Sequence, residues 1–372
     1  YTAGRNMPSF NDIDLDGDMD LFISVLGGDG GIQLSKNFLF YENINGVFQL
    51  VSDDFMNTID LNSDIAPQMV DIDSDGDLDL FIGQDYNTST FPIRGRIYFF
   101  RNIGDQQDIF ELENDEFLGT DIGNSLVPVF TDIDSDSDLD LFVGNYNGTI
   151  LFYRNVGSGN SINFIYESNL SDINLQSYSS PAFVDIDSDG DLDLFAGDNS
   201  GKIYFYQNNG SNMVFDFELI SDNFLNIDVG SRSAPTFEDI DSDGDMDMII
   251  GSENQNVKIF INSGNIYSSN YNEYSCIDIP HYGMNSKIDF YTKNDTIYNI
   301  IGLSTGGLLH SKFNNNLGDV NLDNSIDIED ILVVVSYIIN SSENINFCYS
   351  DINFDQYIDL LDIILLVYKI LN

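Results

Sequence analysis

DIDSDGDLDLFIG, Asp71 to Gly83, places five aspartates at alternate positions around one glycine and follows them with a short apolar run. Carboxylates this dense repel one another unless a cation sits among them. A hard divalent ion taking six to eight oxygens suits the loop, so calcium is the expected cofactor. Positions 1, 3, 5 and 9 supply the side chains of Asp71, Asp73, Asp75 and Asp79, and position 7 supplies the carbonyl of Asp77. Gly76, at position 6, permits the positive φ of the turn. Leu78, Leu80 and Ile82 alternate with Asp79 and Phe81, which predicts a strand leaving the loop.

The motif recurs. DIDLDGDMDLFI carries Asp12, Asp14, Asp16, Asp18 and Asp20; DIDSDSDLDLFVG carries Asp132, Asp134, Asp136, Asp138 and Asp140. DIDSDGDLDLFAG carries Asp185, Asp187, Asp189, Asp191 and Asp193, and DIDSDGDMDMIIG carries Asp239, Asp241, Asp243, Asp245 and Asp247. The five starts are 59, 61, 53 and 54 residues apart. Around each copy lie a short strand before the loop, usually with a proline, and a second strand after it that generally ends in glycine. An aromatic third strand ending at Asn and a looser fourth complete the unit. Four short strands per period predict one blade of a β-propeller; calcium β-helices have much shorter repeats. A sixth unit aligns through Gly302 and has Phe290, Thr292, Asn294 and Tyr298 where the others have aspartates, so it is expected to keep its strands without a metal. Ala3 to Phe10 reads like Val229 to Phe237, the approach to a first strand. The chain therefore reads as N-terminally truncated, with six blades visible and a complete ring of seven expected, six or eight being the alternatives.

A different pattern begins near Gly318. GDVNLDNSIDIEDILVVVSYIIN and, 32 residues later, SDINFDQYIDLLDIILLVYKILN each join a loop to a helix-length apolar run. The ligand set is Asp319, Asn321, Asp323, the Ser325 carbonyl, Asp327 and Asp330 in the first copy. In the second it is Asp351, Asn353, Asp355, the Tyr357 carbonyl, Asp359 and Asp362. This is EF-hand spacing, in which position 12 opens the exiting helix and closes the coordination. Position 6 is Asn324 and Gln356 instead of glycine; Gln tolerates a left-handed turn less well, which predicts a weaker second site.

The aspartate loops and blade strands resemble the FG-GAP or VCBS repeats of calcium-binding β-propellers, the class that includes the integrin α-subunit head. The C-terminal pair resembles a type I dockerin, a family of calcium-dependent modules that bind cohesin domains and attach secreted proteins to assemblies. These resemblances imply a mainly β protein, a propeller over residues 1–316 and a small α-helical dockerin-like module over 317–372, holding about five and two calcium ions. Two departures stand out. Ser137 replaces the loop glycine in the third copy, and the dockerin recognition positions 10 and 11 carry Ile328, Glu329, Leu360 and Leu361 instead of small hydroxyls. The following helices are apolar nearly all round and need cover on a second face, from a cohesin-like partner or from the propeller.

The 62 acidic residues against 13 basic ones give a net charge of −49, of which seven calcium ions would offset 14, leaving about −35. Such a surface disfavours nucleic acid and anionic membranes. No run is long and apolar enough to span a membrane. The two cysteines, Cys276 and Cys348, either pair across the two domains or are unrelated thiols. Calcium loops stay loaded where calcium is millimolar, so an extracellular or cell-surface location is expected. Aromatic third strands read as packing between blades, and Arg101 and Arg154 as solvated or paired with acids. His281 and His310 have no nucleophile at a catalytic spacing. The expected function is a secreted, calcium-stabilised adhesion or scaffold protein, its propeller binding a protein or glycan ligand and its C-terminal module a cohesin-like partner. The alternative is a polysaccharide-degrading lyase or hydrolase on a propeller scaffold.

Overall fold

The computed structural model describes residues 5–371 apart from 12–18, 27–37, 45–46, 53–60, 62, 87–93, 105–108, 120–121, 158–161, 174, 212–213, 242, 254–255, 265–268, 275–286, 294–295, 305–306, 314–316, 324, 341–344 and 354–356. Antiparallel sheets follow one another along the chain, each a simple meander. The first holds β1 (Arg5–Asn11), β2 (Asp20–Leu26), β3 (Phe38–Ile44) and β4 (Val47–Ser52); the second β5 (Ile65–Val70), β6 (Asp79–Gln84), β7 (Ile97–Asn102) and β8 (Phe110–Asn114). The third holds β9 (Val127–Thr131), β10 (Asp140–Gly144), β11 (Ile150–Asn155) and β12 (Phe164–Asn169); the fourth β13 (Ser180–Val184), β14 (Asp193–Gly197), β15 (Ile203–Asn208) and β16 (Phe217–Ser221). The fifth holds β17 (Ala234–Glu238), β18 (Asp247–Gly251), β19 (Lys258–Asn262) and β20 (Tyr271–Tyr274). The sixth has three strands, β21 (Lys287–Lys293), β22 (Thr296–Gly302) and β23 (Leu308–Lys312).

The inner strands β5, β9, β13, β17 and β21 neighbour one another in turn, and β21 returns to β5. Together they line a central cavity of about 240 Å³. The closed ring therefore has five blades, built from sheets two to six, where the repeats predicted seven; the first sheet is not one of the five. The reason lies in a close approach that glycine permits. A Cβ at Gly83, Gly144 or Gly197 would sit 2.1, 2.2 or 2.0 Å from the backbone oxygen of Leu126, Ser179 or Ser233 at the start of the next blade. Gly302 meets Ile65 O in the same way at 2.1 Å, so the sixth sheet seats on the second as the others seat on their successors. Met69 N adds a bond across this seam to Asp289 Oδ2 at 2.9 Å.

Position in the ring explains the strand patterns. The second strands β6, β10, β14 and β18 are covered on both faces and buried throughout. The outer strands β8, β12 and β16 are mostly exposed. Phenylalanines on the second and third strands stack within a blade, Phe81 on Phe99 at 4.5 Å, Phe142 on Phe152 at 4.7 Å and Phe195 on Phe205 at 4.6 Å. They fill the wedge against the following blade through Phe130, Phe183 and Phe237.

The sixth sheet differs from the other sheets. It has no aspartate-type loop: β21 pairs with β22 from Lys287↔Gly302 to Lys293↔Thr296, a continuous ladder through Phe290, Thr292 and Tyr298. Asn294 and Asp295 lie outside the described residues, and among the described residues the fourth strand is missing. After β23 the chain enters the C-terminal module, with α1 (Ile328–Ile339), α2 (Phe347–Ser350) and α3 (Leu360–Leu371). One apolar cluster runs from Ile240, Ile259 and Ile261 of the fifth blade and Phe290, Ile301 and Phe313 of the sixth into Leu317, Val320, Val334, Ile352 and Leu366. Tyr274 OH also donates to Cys348 O at 2.7 Å. The propeller thus covers one face of the apolar helices.

Candidate metal loops and the dockerin-type module

Four aspartate loops are described, and they are built alike. In the second blade Asp71 accepts from the N–H groups of Asp75 (3.1 Å) and Gly76 (3.1 Å), and Asp75 accepts from Asp77 N (3.0 Å). Asp132, Asp185 and Asp239 repeat the first pair of bonds, and Asp136, Asp189 and Asp243 repeat the second. Ser137 takes the glycine position with φ +74, against +96 at Gly76, and keeps the bond to Asp132 Oδ2 at 3.0 Å. The loop therefore forms without glycine there.

The position 9 carboxylate ties the loop to the sheet. One oxygen of Asp79, Asp140, Asp193 and Asp247 accepts the backbone N–H of Asn102, Asn155, Asn208 and Asn262 at 2.7–2.8 Å. Those asparagines, which end the third strands, use their own Oδ1 to hold the next turn, as in Gly104 N and Ile109 N to Asn102. Their recurrence is visible in the sequence; their part in holding the metal loop is not. Arg101 and Arg154 are likewise more specific than expected. Each reaches back to the position 3 aspartate of its own blade, Asp73 and Asp134, and to an outer-strand acid, Glu113 and Glu167. Gln207 makes the same reach to Asp187 at 2.8 Å.

What remains is a set of buried carboxylate oxygens with no hydrogen-bond partner among the described residues. They are Asp73 Oδ1, Asp79 Oδ2, Asp134 Oδ1, Asp140 Oδ2, Asp187 Oδ1 and Asp191 Oδ1. Ligand oxygens of Asp71, Asp73 and Asp75, of Asp132, Asp134 and Asp136, of Asp185, Asp187 and Asp189, and of Asp239, Asp241 and Asp247 converge within 4.8 Å. Buried acceptors with no donor are costly, and an oxygen-liganded divalent cation satisfies them. Burial also raises the carboxyl groups from 3.8, to about 6 at Asp79, about 7 at Asp140 and Asp193, and about 8 at Asp247. The residues therefore fit a cation. Asp12, Asp14, Asp16, Asp18 and the side chain of Asp20 lie outside the described residues.

The first C-terminal loop shares the first half of this design. Asp323 N bonds Asp319 Oδ1 (3.0 Å) and Ser325 N bonds Asp323 Oδ1 (2.9 Å). Its closure differs. Asp330, fully buried, accepts Val320 N at 2.7 Å on one oxygen and Asp327 N at 2.8 Å on the other, while Asp327 caps α1 through Glu329 N. Asp362 repeats this with Ile352 N and Asp359 N, both 2.7 Å. Position 12 is thus a folding anchor as well as a candidate ligand. Asn324, Asp355 and Gln356 lie outside the described residues. Cys348 is disulfide-bonded; Cys276 and His281 also lie outside. His310 is not isolated, since Tyr291 OH approaches its Nε2 at 2.5 Å and both rings stack with Tyr298.

Comparison with known proteins agrees with this anatomy. FG-GAP-like repeats match residues 71–143, 132–196 and 185–250, and a dockerin type I domain matches 317–371. No curated protein sequence matches. Among solved structures, an Agrocybe aegerita lectin described as recognising non-reducing terminal N-acetylglucosamine aligns at 18% identity and TM-score 0.36, over 73% of this chain and 66% of its own. A Photorhabdus luminescens Tc holotoxin pore aligns at 15% and 0.31, over 84% of this chain and 15% of its own. Saccharomyces cerevisiae Sqt1 aligns at 12% and 0.29, over 80% and 82%. The chain therefore spans less than two thirds of the length of the first two. Residues 71–250 are FG-GAP-like repeats and residues 317–371 a dockerin type I domain, carried on a mainly β propeller fold.

Proposed function

We propose that this is a secreted or cell-surface scaffold protein that calcium stabilises. The propeller, residues 1–316, presents a protein or glycan ligand-binding face, and the dockerin, residues 317–372, attaches the protein to a cohesin-like partner. The calcium ions number about five in the propeller loops and two in the dockerin, held by the aspartates, asparagines and carbonyls named above. The disulfide at Cys348 suits an oxidising compartment, where calcium is also plentiful.

One observation carries the reading. The dockerin helices bury Val334 and Leu366 in the cluster shared with the propeller, and they leave Ile328, Leu332, Leu360, Leu361 and Ile364 between 46% and 67% exposed. An apolar surface of that kind on a folded module is a docking face, and dockerin domains bind cohesins. Leu360 and Leu361 occupy positions 10 and 11 of the second loop, so the contact should be apolar. Titration of the full chain with a type I cohesin should show binding that EDTA removes. Leu360→Asp together with Leu361→Asp should weaken it at least about tenfold with the ring still folded. Binding indifferent to both treatments would overturn the attachment role, and turnover of a polysaccharide panel would overturn the scaffold role.

A further inference from the structure

The two ends of the ring differ in kind. Nearly identical aspartate loops follow the inner strands at one end. At the other, the residue two places before the first cavity-lining position varies from blade to blade: Asp64, Ser125, Tyr178 and Arg232. Ser125, Tyr178 and Arg232 are held at φ +51, +56 and +48. Non-glycine residues are strained in that region, and glycine would relieve it. The side chains aim at one another. Arg232, in the fifth blade, pairs with Asp64 of the second at 2.9 Å and lies 3.7 Å over the Tyr178 ring. Tyr146 meets Tyr178 edge-on at 4.8 Å and is 48% exposed. The Ser125 hydroxyl donates to Asp85.

Just inside this rim stands Lys287, the first residue of β21. It pairs with Gly302 as Ala66, Val127, Ser180 and Ala234 pair with Gly83, Gly144, Gly197 and Gly251. Four blades thus place a small or apolar residue at this level of the cavity, and one places an amine. The acids whose fields reach Lys287 are Asp64 and Asp85. Asp64 is taken by Arg232 and Asp85 by Ser125, while Asp289, two residues along the same strand face, accepts Met69 N. The Lys287 side chain makes no hydrogen bond or ion pair with any described residue. Burial lowers its ammonium group to about 8, so it still carries its charge at neutral pH. In a chain of net charge −49, an unpaired cation at a cavity mouth is the exception.

We propose that this end of the channel binds a small carboxylate, whose acid group meets Lys287 and whose body lies against Tyr178 and Tyr146. A carboxylate suits the site better than a phosphate, because Asp64 and Asp85 would repel a dianion more strongly than a monoanion. The cavity of about 240 Å³ is the size of one sugar or amino acid, smaller than a typical drug-sized pocket. The inference rests on the propeller being a ligand-presenting module, and it names the ligand chemistry.

Calorimetric titration of the calcium-loaded full chain with galacturonate, glutamate and uncharged galactose tests it. One or both acids should bind saturably and galactose should not. Galacturonate alone would place the source in acidic glycans, and glutamate alone in peptides. Lys287→Met should weaken binding at least about tenfold. Should that variant fail to fold, mass spectrometry on the wild type decides, because bound carboxylate should slow acetylation of Lys287. No binding of either acid, equal binding of galactose, undiminished binding by the Met variant, or unprotected Lys287 would each overturn the site. Cohesin capture measured on the same preparation reports the attachment role separately, so failure here beside intact capture counts against this site alone.

Discussion

The propeller loops and the first dockerin loop begin alike, and the two kinds of loop end differently. In both, position 1 holds the N–H of position 5, and position 5 holds that of position 7. In the propeller the closing aspartate at position 9 is anchored to a third-strand asparagine, so the sheet dictates the loop. In the dockerin the closing aspartate at position 12 bonds positions 2 and 9 of its own loop, so the closure is made within the loop and at the start of its own helix. The same ligand chemistry should therefore be a refinement in one place and a condition of folding in the other.

Chelation gives the largest separation. A site loaded at about a thousand times its Kd contributes about 4 kcal/mol, and two such sites exceed what a module of 55 residues supplies from its core. In EDTA the helical circular dichroism signal should be lost at a temperature well below the transition of the β-sheet ring. A single transition at an unchanged temperature would refute the contrast.

Glycine substitutions come next. Gly302→Ala drives a Cβ into Ile65 O across the seam that closes the ring, and should cost about 3 kcal/mol with little change in calcium affinity. Gly76→Ala meets open space at φ +96 and should cost only about 1 kcal/mol, as Ser137 at the same loop position already suggests. Urea unfolding of the two variants measures both; equal losses would mean that Gly302 is not the closing contact.

What was legible in the sequence follows the same division. The aspartate spacing announced its loops because every candidate ligand lies within nine or twelve residues of the first. Ring closure did not, because Gly302 and Ile65 meet only after the chain has turned through five blades, and a terminal glycine looks alike whichever blade it touches. Asn102 and Arg101 were visible as repeated residues, yet their partners lie elsewhere in the blade, Asp79 on the second strand and Asp73 in the loop before it. Lys287 and Arg232 differ from their counterparts in other blades, so no repeat pointed to them. The cover on the dockerin helices was open between a partner and the propeller, and Ile261, Phe313 and Leu366 in one cluster show the propeller supplying one face.

The pH dependence should reverse with calcium. Asp79, Asp140, Asp193 and Asp247 have raised pKa values in the folded chain, so between about pH 4 and pH 8 the metal-free folded state holds more protons than the unfolded state. Its stability is then greatest near pH 4 and is lost as pH rises through the folded values. Calcium needs the ionised form, so the loaded ring should gain stability over the same range. Melting curves at several pH values, with EDTA and with calcium, should cross; parallel curves would mean that the buried carboxylates are not the ligands.

The smallest effect concerns neighbouring blades. Arg101 and Arg154 place a guanidinium on the position 3 aspartate, Gln207 places a neutral amide there, and the fifth blade has buried Ile261. A cation beside a ligand satisfies it in the metal-free state and repels the incoming ion. Arg101 is 27% exposed at its side chain, so solvent screens much of this, and the net effect on affinity should be about fivefold. Arg101→Gln should therefore tighten calcium binding at the second blade to the level of the fourth. The metal-free ring should lose about 0.5 kcal/mol, since Asp73 and Glu113 give up a partner. Calcium titration of wild type and variant separates the two terms, and weaker binding by the variant would show that Arg101 orients Asp73 for the ion instead of competing with it.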